Sequence, residues 1–217
     1  MRSRFDEQLA LLNRELIEMG ALCEEVIAAA AKALMEGDTE LAAQIPPRAS
    51  GIDQQERDIE ALCLKLLLRQ QPVASDLRQI SAALKMITDM ERIGDQAEDI
   101  AEIIGFLNGR SGEECAFVGH MARAAISMVT GSVDAYVRRD VALAHEVIAR
   151  DDVVDEDFRK VKATLIDWIA QRPDDGEYAL DLLMIAKYFE RIGDHATNIA
   201  EWVVFAVTGV HNGEELT

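Results

Sequence analysis

The sequence predicts an all-α fold of two tandem three-helix bundles, with six long antiparallel helices related by pseudo-twofold symmetry. The first observation behind this prediction is a repeated pentapeptide, Glu-Arg-Ile-Gly-Asp, which occupies residues 91–95 and 190–194, 99 positions apart. The windows 91–106 and 190–205 align without a gap and share ten identical residues, which indicates a tandem duplication. The second observation is the composition, because 5% aromatic residues and only 4 prolines in 217 residues are typical of a helical protein with little strand.

Apolar residues recur at three- and four-residue steps in six segments, as on the core-facing stripe of a helix. The predicted helices cover about Arg4–Glu36, Asp38–Gln70, Ser75–Leu107, Glu113–Arg138, Asp140–Ala170 and Asp174–Val207. Each helix of ~30 residues is ~45 Å long at 1.5 Å per residue. The connections are short, so neighbouring helices run antiparallel.

Local signals refine the helix ends and the domain boundary. Gly37 suits a helix C-terminus, and Asp38 suits the N-cap of the next helix. Pro46-Pro47 removes backbone donors and therefore kinks or interrupts the second helical segment. The loop-like stretch 108–112 divides the chain into two predicted domains, 1–108 and 113–217.

The net charge of −18 disfavours direct binding to nucleic acid or to anionic lipid and favours cations and basic partner surfaces. No apolar run reaches the ~20 residues that a membrane span needs, and the N-terminus lacks a signal-peptide core. Cys23, Cys63 and Cys115 are widely spaced and form no CxxC pair, so neither a disulfide framework nor a zinc ribbon is expected. A cytoplasmic location is predicted.

Acidic residues form a row at helical spacing beside the apolar stripe in both copies of the repeat. Like charges at i, i+4 cost a helix ~0.2–0.5 kcal/mol per pair, so something must offset them. In the third helix the row is Glu91, Asp95, Asp99 and Glu102, and in the sixth it is Glu190, Asp194, Asn198 and Glu201.

Acids on the preceding helix lie opposite each row. Counting back from turns centred between residues 72 and 73 and between residues 173 and 174 places Asp53 and Glu56 level with residues 92 and 89, and Asp151 and Asp155 level with residues 196 and 192. Several carboxylate oxygens at one height suit hard cations such as Mg²⁺, Mn²⁺, Ca²⁺ or iron. The alternative is a solvated acidic face that pairs with the basic residues available, Arg92, Arg191 and His195.

Catalytic motifs are missing from the sequence. None of the four histidines follows a glutamate at the Glu-x-x-His spacing of di-iron oxidases, and no glycine-rich phosphate loop, nucleophile elbow or zincin helix occurs. We therefore expect no enzyme. Mid-helix Gly94 and Gly193 are explained by close helix approach rather than by chemistry.

Three stretches resemble the PhoU family of accessory regulators of bacterial phosphate uptake. They are Arg69–Arg78 (RQQPVASDLR), Asp89–Asp95 (DMERIGD) and Glu190–Glu201 (ERIGDHATNIAE). The resemblance covers nearly the whole chain. It implies a cytoplasmic negative regulator, usually a homodimer, that links the ATPase subunit of the phosphate ABC transporter to the sensor histidine kinase of the phosphate-starvation response.

The resemblance also implies metal binding, since the family's Glu/Asp-x-x-x-Asp motif binds iron, zinc or other cations in some members. Carried over, the motif falls on Glu91 with Asp95, Asp95 with Asp99, Glu190 with Asp194, and Asp151 with Asp155. The predicted ligands are Asp53, Glu56, Glu91, Asp95, Asp99, Asp151, Asp155, Glu190, Asp194 and Asn198, for Fe, Zn, Mn or Mg.

Two positions depart from a symmetric pair of sites. Ala49 stands in the first half where Asp151 stands in the second, and Asn198 stands where the first half has Asp99. We therefore expect the two sites to be unequal. The leading function is a metal-binding signalling adaptor, and the alternatives are a metal-dependent helical-bundle hydrolase or oxidase and a purely structural scaffold.

Overall fold

A computed structural model describes residues 2–69, 72–112, 115–211 and 214–215. Helices account for nearly all of this part of the chain. They are α1 (Arg2–Glu36), α2 (Thr39–Ala42), α3 (Ile45–Arg69), α4 (Ala74–Phe106), α5 (Cys115–Arg138), α6 (Val141–Gln171), a 3₁₀ turn (Pro173–Asp175) and α7 (Gly176–Thr208). Two antiparallel two-residue strands, β1 (Val210–His211) and β2 (Glu214–Glu215), follow α7 and lie outside the sequence prediction.

The predicted helix ends agree closely with those observed, apart from the end at Gln70 and the start at Glu113, which lie outside the described residues. The segment predicted as Asp38–Gln70 is interrupted, as expected, into α2 and α3. Pro46 and Pro47 lie in the first turn of α3, where a missing backbone N–H costs nothing because that donor has no partner within the helix. Asp38 caps α2 by accepting a 2.8 Å hydrogen bond from the N–H of Leu41.

The helices form two three-helix bundles that lie side by side. The helices α1, α3 and α4 pack as the first bundle, and α5, α6 and α7 as the second. Across the boundary α1 packs on α5 and α4 packs on α7, so each contact joins a helix to its own repeat equivalent. This arrangement confirms the predicted all-α fold with pseudo-twofold symmetry.

A single hydrophobic core runs through both bundles. The apolar stripe of α1 is buried from Leu12 to Ala33, with Leu9 at its start partly buried, and the α4 stripe is buried from Ile80 to Ile104. All three cysteines are buried and free. No helix of the described residues is long and apolar enough to cross a membrane.

Two glycines set the closest approach within the helix pairs. A Cβ at Gly94 would lie 3.2 Å from Cδ1 of Ile52 on α3, and a Cβ at Gly193 would lie 3.4 Å from Cγ1 of Val154 on α6. The expected role of both glycines in close helix approach is thereby confirmed. Ile52 and Val154 are equivalent in the two repeats, so the same register brings α3 against α4 and α6 against α7.

Gly37 ends α1 with a φ of +65°, and a Cβ there would lie 2.4 Å from the backbone oxygen of Gly109. Gly37→Ala is expected to lower the free energy of unfolding by at least about 1–2 kcal/mol, because the left-handed backbone alone costs that much for a residue with a Cβ, and the carbonyl contact adds to it. Urea denaturation measures the change.

The matched control for this prediction is Gly105→Ala. Gly105 is helical, has ordinary φ, and a Cβ there would meet nothing within 4 Å. That substitution should be neutral or stabilise by up to about 1 kcal/mol. Equal effects at the two glycines would show that the contact between the loops after α1 and α4 does not constrain the fold.

Candidate metal centres in two acidic clusters

Close packing of α3 on α4 brings together acids from both helices. We call Asp53, Glu56, Glu91, Asp95 and Glu98 the first cluster. The pKa of Glu91 is raised, first by burial and then by the negative charges of Asp95, Glu56 and Asp53, against the opposing effect of Arg92. The pKa of Glu98 is raised by burial and by Asp53, Asp95 and Asp99. The predicted opposition of acids across the first helix pair is therefore present.

The equivalent close packing of α6 on α7 forms the second cluster, which consists of Asp151, Asp155, Glu190 and Asp194. Oδ1 of Asp151 lies 3.5 Å from the position that a Cβ of Gly193 would take. Burial first, and then Asp194 and Asp155, raise the pKa of Asp151 to about 6. The pKa of Asp194 is also raised, by burial and by Glu190 and Asp155.

The two clusters differ in the way that the sequence predicts. Ala49, the equivalent of Asp151, is buried and carries no charge, so the first cluster has no acid directly above Gly94. Instead Glu98, which is not among the predicted ligands, supplies a further carboxylate. Its equivalent in the second repeat is Thr197, whose buried hydroxyl is near enough to Asp151 to oppose part of the rise in the pKa of that carboxyl.

Basic side chains partly neutralise each cluster. Arg92 contacts Asp95 at 3.0 Å and Glu91 at 3.5 Å, which agrees in part with the alternative of an acidic face paired with its own arginines. In the second repeat Lys187 pairs with Glu190. The Lys187 pairing follows the i, i+3 spacing and was available from the sequence, although it was not predicted.

Two predicted ligands make contacts across the boundary between the repeats. The amide nitrogen of Asn198 donates a 3.1 Å hydrogen bond to Asp89 on α4. Nδ1 of His195 lies 2.9 Å from the same carboxylate oxygen. Asp99 lies beside the hydroxyl of Tyr188 on α7 and, after burial, contributes to the raised pKa of that phenol. Asn198 and Asp99 therefore join α4 to α7.

The donor chemistry of both clusters fits a hard cation, since every contributing atom is a carboxylate oxygen and mutual repulsion favours a bound positive charge. Among the described residues, no three Asp, Glu, His or Cys side chains are arranged to hold an ion. The carboxylates of each cluster would therefore have to move closer together to bind one. A bound ion would replace Arg92 or Lys187 as the neutralising charge. In the first cluster Glu91, Asp95, Asp53 and Glu56 would hold it, and in the second Asp151, Asp155, Glu190 and Asp194.

The raised pKa of Asp151 makes metal-free stability depend on pH. The folded state holds a proton on this group between its unfolded pKa near 4 and its folded pKa near 6, so the folded state binds more protons and stability falls as pH rises through that window. Asp151→Asn should remove this loss. We expect the variant to be more stable than the parent at pH 7.5 by about 1 kcal/mol, less than two full pKa units would give, because the carboxylate is partly exposed.

Urea denaturation in the presence of a chelator at pH 4.5 and pH 7.5 measures this difference. Asp134→Asn is the control, because Asp134 is an exposed partner of Arg138 outside both clusters. A gain at pH 7.5 that the control reproduces would contradict repulsion within the second cluster.

Comparison with known proteins agrees with this architecture. The family model described as the PhoU domain matches residues 16–104 and again residues 118–203. Curated relatives named as phosphate-specific transport system accessory protein PhoU homologues include one from Clostridium acetobutylicum, 36% identical over 96% of both chains. Another, from Pseudomonas aeruginosa, is 35% identical over 95% of this chain and 86% of the relative.

Solved structures give the same result. The crystal structure of PhoU from Pseudomonas aeruginosa superposes with a TM-score of 0.90 at 35% identity, covering 95% of this chain and all of that one. A phosphate transport system regulatory protein PhoU from Streptococcus pneumoniae gives a TM-score of 0.86 at 26% identity, covering 98% and 99%. With both repeats matched by the family model, the chain belongs to the PhoU family.

Proposed function

We propose that this protein is a cytoplasmic negative regulator of phosphate uptake and of phosphate-starvation signalling. The single observation that carries the proposal is its similarity, over 96% of both chains, to a relative named as an accessory protein of the phosphate-specific transport system. The protein would act as an adaptor between the ATPase subunit of the phosphate ABC transporter and the sensor histidine kinase. It would work as a homodimer and without catalysis of its own.

The acidic clusters suit an adaptor whose surface depends on bound metal. Each cluster joins two helices, α3 with α4 or α6 with α7, whose carboxylates repel one another. A cation held between the helices would offset that repulsion and fix their outer faces. An anion such as phosphate is repelled by a chain of net charge −18, so a bound cation is also the route by which phosphate could reach this surface.

The regulatory proposal is tested in the organism that carries the chain. Deleting the gene should raise a phosphate-starvation transcriptional reporter at least severalfold in phosphate-rich medium, because the kinase loses its restraint. A plasmid copy of the intact gene should restore repression. A reporter that stays silent after deletion, and that still responds normally to phosphate withdrawal, would overturn the proposal.

The metal assignment is tested by elemental analysis of protein purified without chelator. Replacing Glu91, Asp95, Glu190 and Asp194 with Ala should abolish bound metal, since both clusters lose the acids of the repeated motif. The pairwise variants Glu91→Ala with Asp95→Ala, and Glu190→Ala with Asp194→Ala, separate the two clusters. Each should remove the metal of its own repeat only.

Two further variants sharpen the metal measurement. Asp151→Ala makes the second cluster resemble the first at the position of Ala49, so it should lower metal content in the second repeat without affecting the first. Glu36→Ala and Asp134→Ala together form the control, because these acids lie outside both clusters. Metal content that is unchanged in the quadruple variant would exclude both clusters as metal sites.

A further inference from the structure

Four aliphatic side chains are exposed around the connection between α3 and α4. The exposed fractions are 48% for Leu64, 86% for Leu68, 60% for Val73 and 47% for Leu77. Single exposed aliphatic residues are common on protein surfaces, but a group at one end of a helix pair is not. Leu64 and Leu68 are one helical turn apart, as are Val73 and Leu77.

This apolar group lies on the side of the helix pair that carries the first cluster. Leu64 follows Asp53 by 11 residues, which is three turns and about 20° of rotation. Leu77 precedes Asp95 by 18 residues, which is five full turns. Since Asp53 and Asp95 both act on the carboxyl of Glu98, Leu64 and Leu77 point to the same side as these acids.

Along α3 the surface changes from acidic to apolar at strict four-residue steps. We call Glu56, Glu60, Leu64 and Leu68 the α3 row. Its last three members are exposed, and the row extends ~18 Å along the helix at 1.5 Å per residue. Arg57 precedes Leu64 by seven residues and lies about 20° from it around the helix, so one arginine stands beside Glu60 on the same face, whereas Lys65 lies about 60° beyond Leu68.

The equivalent positions of the second repeat have a different composition. They are Phe158, Lys162, Ile166 and Ala170, so a lysine replaces Glu60 and an aromatic ring replaces Glu56. Lys187 of α7 lies over the Phe158 ring, with Nζ 5.5 Å from the ring centroid, and also pairs with Glu190. The first repeat has Thr88 where the second has Lys187. The second repeat thus carries lysines at these positions, whereas the α3 row carries carboxylates.

We propose that the α3 row, together with Val73 and Leu77, is the docking surface for a basic amphipathic helix of a partner protein. The apolar side of that helix covers the leucines, and its lysines or arginines meet the exposed carboxylate of Glu60. That the partner belongs to the phosphate transport or signalling machinery rests on the proposed function. The chemistry of the surface does not, because it follows from the exposed leucines and the neighbouring charges.

Charge argues against the other occupants of this surface. A second copy in symmetric contact would place Glu60 against its own counterpart or against Leu64, and burying an unpaired carboxylate beside a leucine is costly. An anionic lipid surface is repelled by the net charge of −18. A helix with an apolar side and a cationic side suits both the leucines and the glutamates of the row.

The test uses a fluorescein-labelled peptide of roughly 18 residues, five helical turns, in which leucine and lysine are placed at amphipathic spacing. Fluorescence anisotropy at about 0.15 M salt gives its dissociation constant for the full chain. Leu64→Gln with Leu68→Gln should weaken binding at least about tenfold, as expected for loss of two central anchors. Glu60→Gln should weaken it severalfold and reduce its salt dependence.

The matched control is Ile166→Gln, because Ile166 is the equivalent of Leu64 and is 57% exposed. This variant should change the dissociation constant less than about twofold. Equal weakening by Ile166→Gln and by the leucine pair would overturn the proposal, as would equal binding of a peptide with glutamate in place of lysine. Sedimentation of the leucine variant decides the remaining case, since loss of a dimer on substitution would make the surface a self-association face.

These measurements do not depend on the regulatory assignment. Specific peptide binding that is lost in the leucine variant, in a chain whose deletion leaves the starvation reporter unchanged, would support the docking surface and contradict the proposed function. Normal repression combined with peptide binding that is insensitive to all of these substitutions would do the reverse.

Discussion

The close contact of paired helices at Gly94 and Gly193 is the constraint on which the rest of the structure depends. Because these residues have no side chain, α3 lies so close to α4, and α6 so close to α7, that an added Cβ would contact Ile52 or Val154. That distance buries acids of the facing helices and brings them close together, so that burial first, and then repulsion between carboxylates, raise the pKa of Glu91 and of Asp151. Apolar packing around the glycines holds each pair of helices together, although repulsion between their carboxylates favours separation. The acidic clusters are thus a consequence of the way these helix pairs pack.

The duplication preserved this packing while the surrounding charges changed. The second cluster contains Asp151 and is partly neutralised by Lys187 through Glu190, whereas the first has Ala49 and Glu98 and is partly neutralised by Arg92. The surfaces beyond the clusters diverged further, toward exposed leucines in the first repeat and toward a lysine and an aromatic ring in the second. A duplicated scaffold with unequal faces allows one chain to present two different surfaces in a fixed relation, since α4 and α7 are joined through Asp89, His195 and Asn198.

The helices and the facing acidic rows could be predicted because the sequence patterns that indicate them are local or occur twice. The apolar period gave the long helices, Gly37 and Asp38 marked a helix end and a cap, and the repeated pentapeptide placed acids opposite acids. The joint between the repeats could not be predicted. Asp89 and His195 are 106 residues apart, and counting along the helices placed Asp89 level with Glu56 without revealing that it faces α7. The strand pair after α7 is too short to produce a period, and side-chain rotamers within the clusters depend on charges that helical spacing does not specify.

Burial of the three cysteines restricts the chemistry of the whole surface. Desolvation raises the pKa of Cys63 to about 12 and that of Cys23 further still, so these two thiols carry almost no thiolate at neutral pH. Soft ions that seek thiolate, such as Cu(I), therefore find none at Cys23 or Cys63, and an oxidant meets no nucleophilic sulfur at either residue. The two acidic clusters therefore lie in a molecule whose Cys23 and Cys63 thiols take no part in surface chemistry at neutral pH.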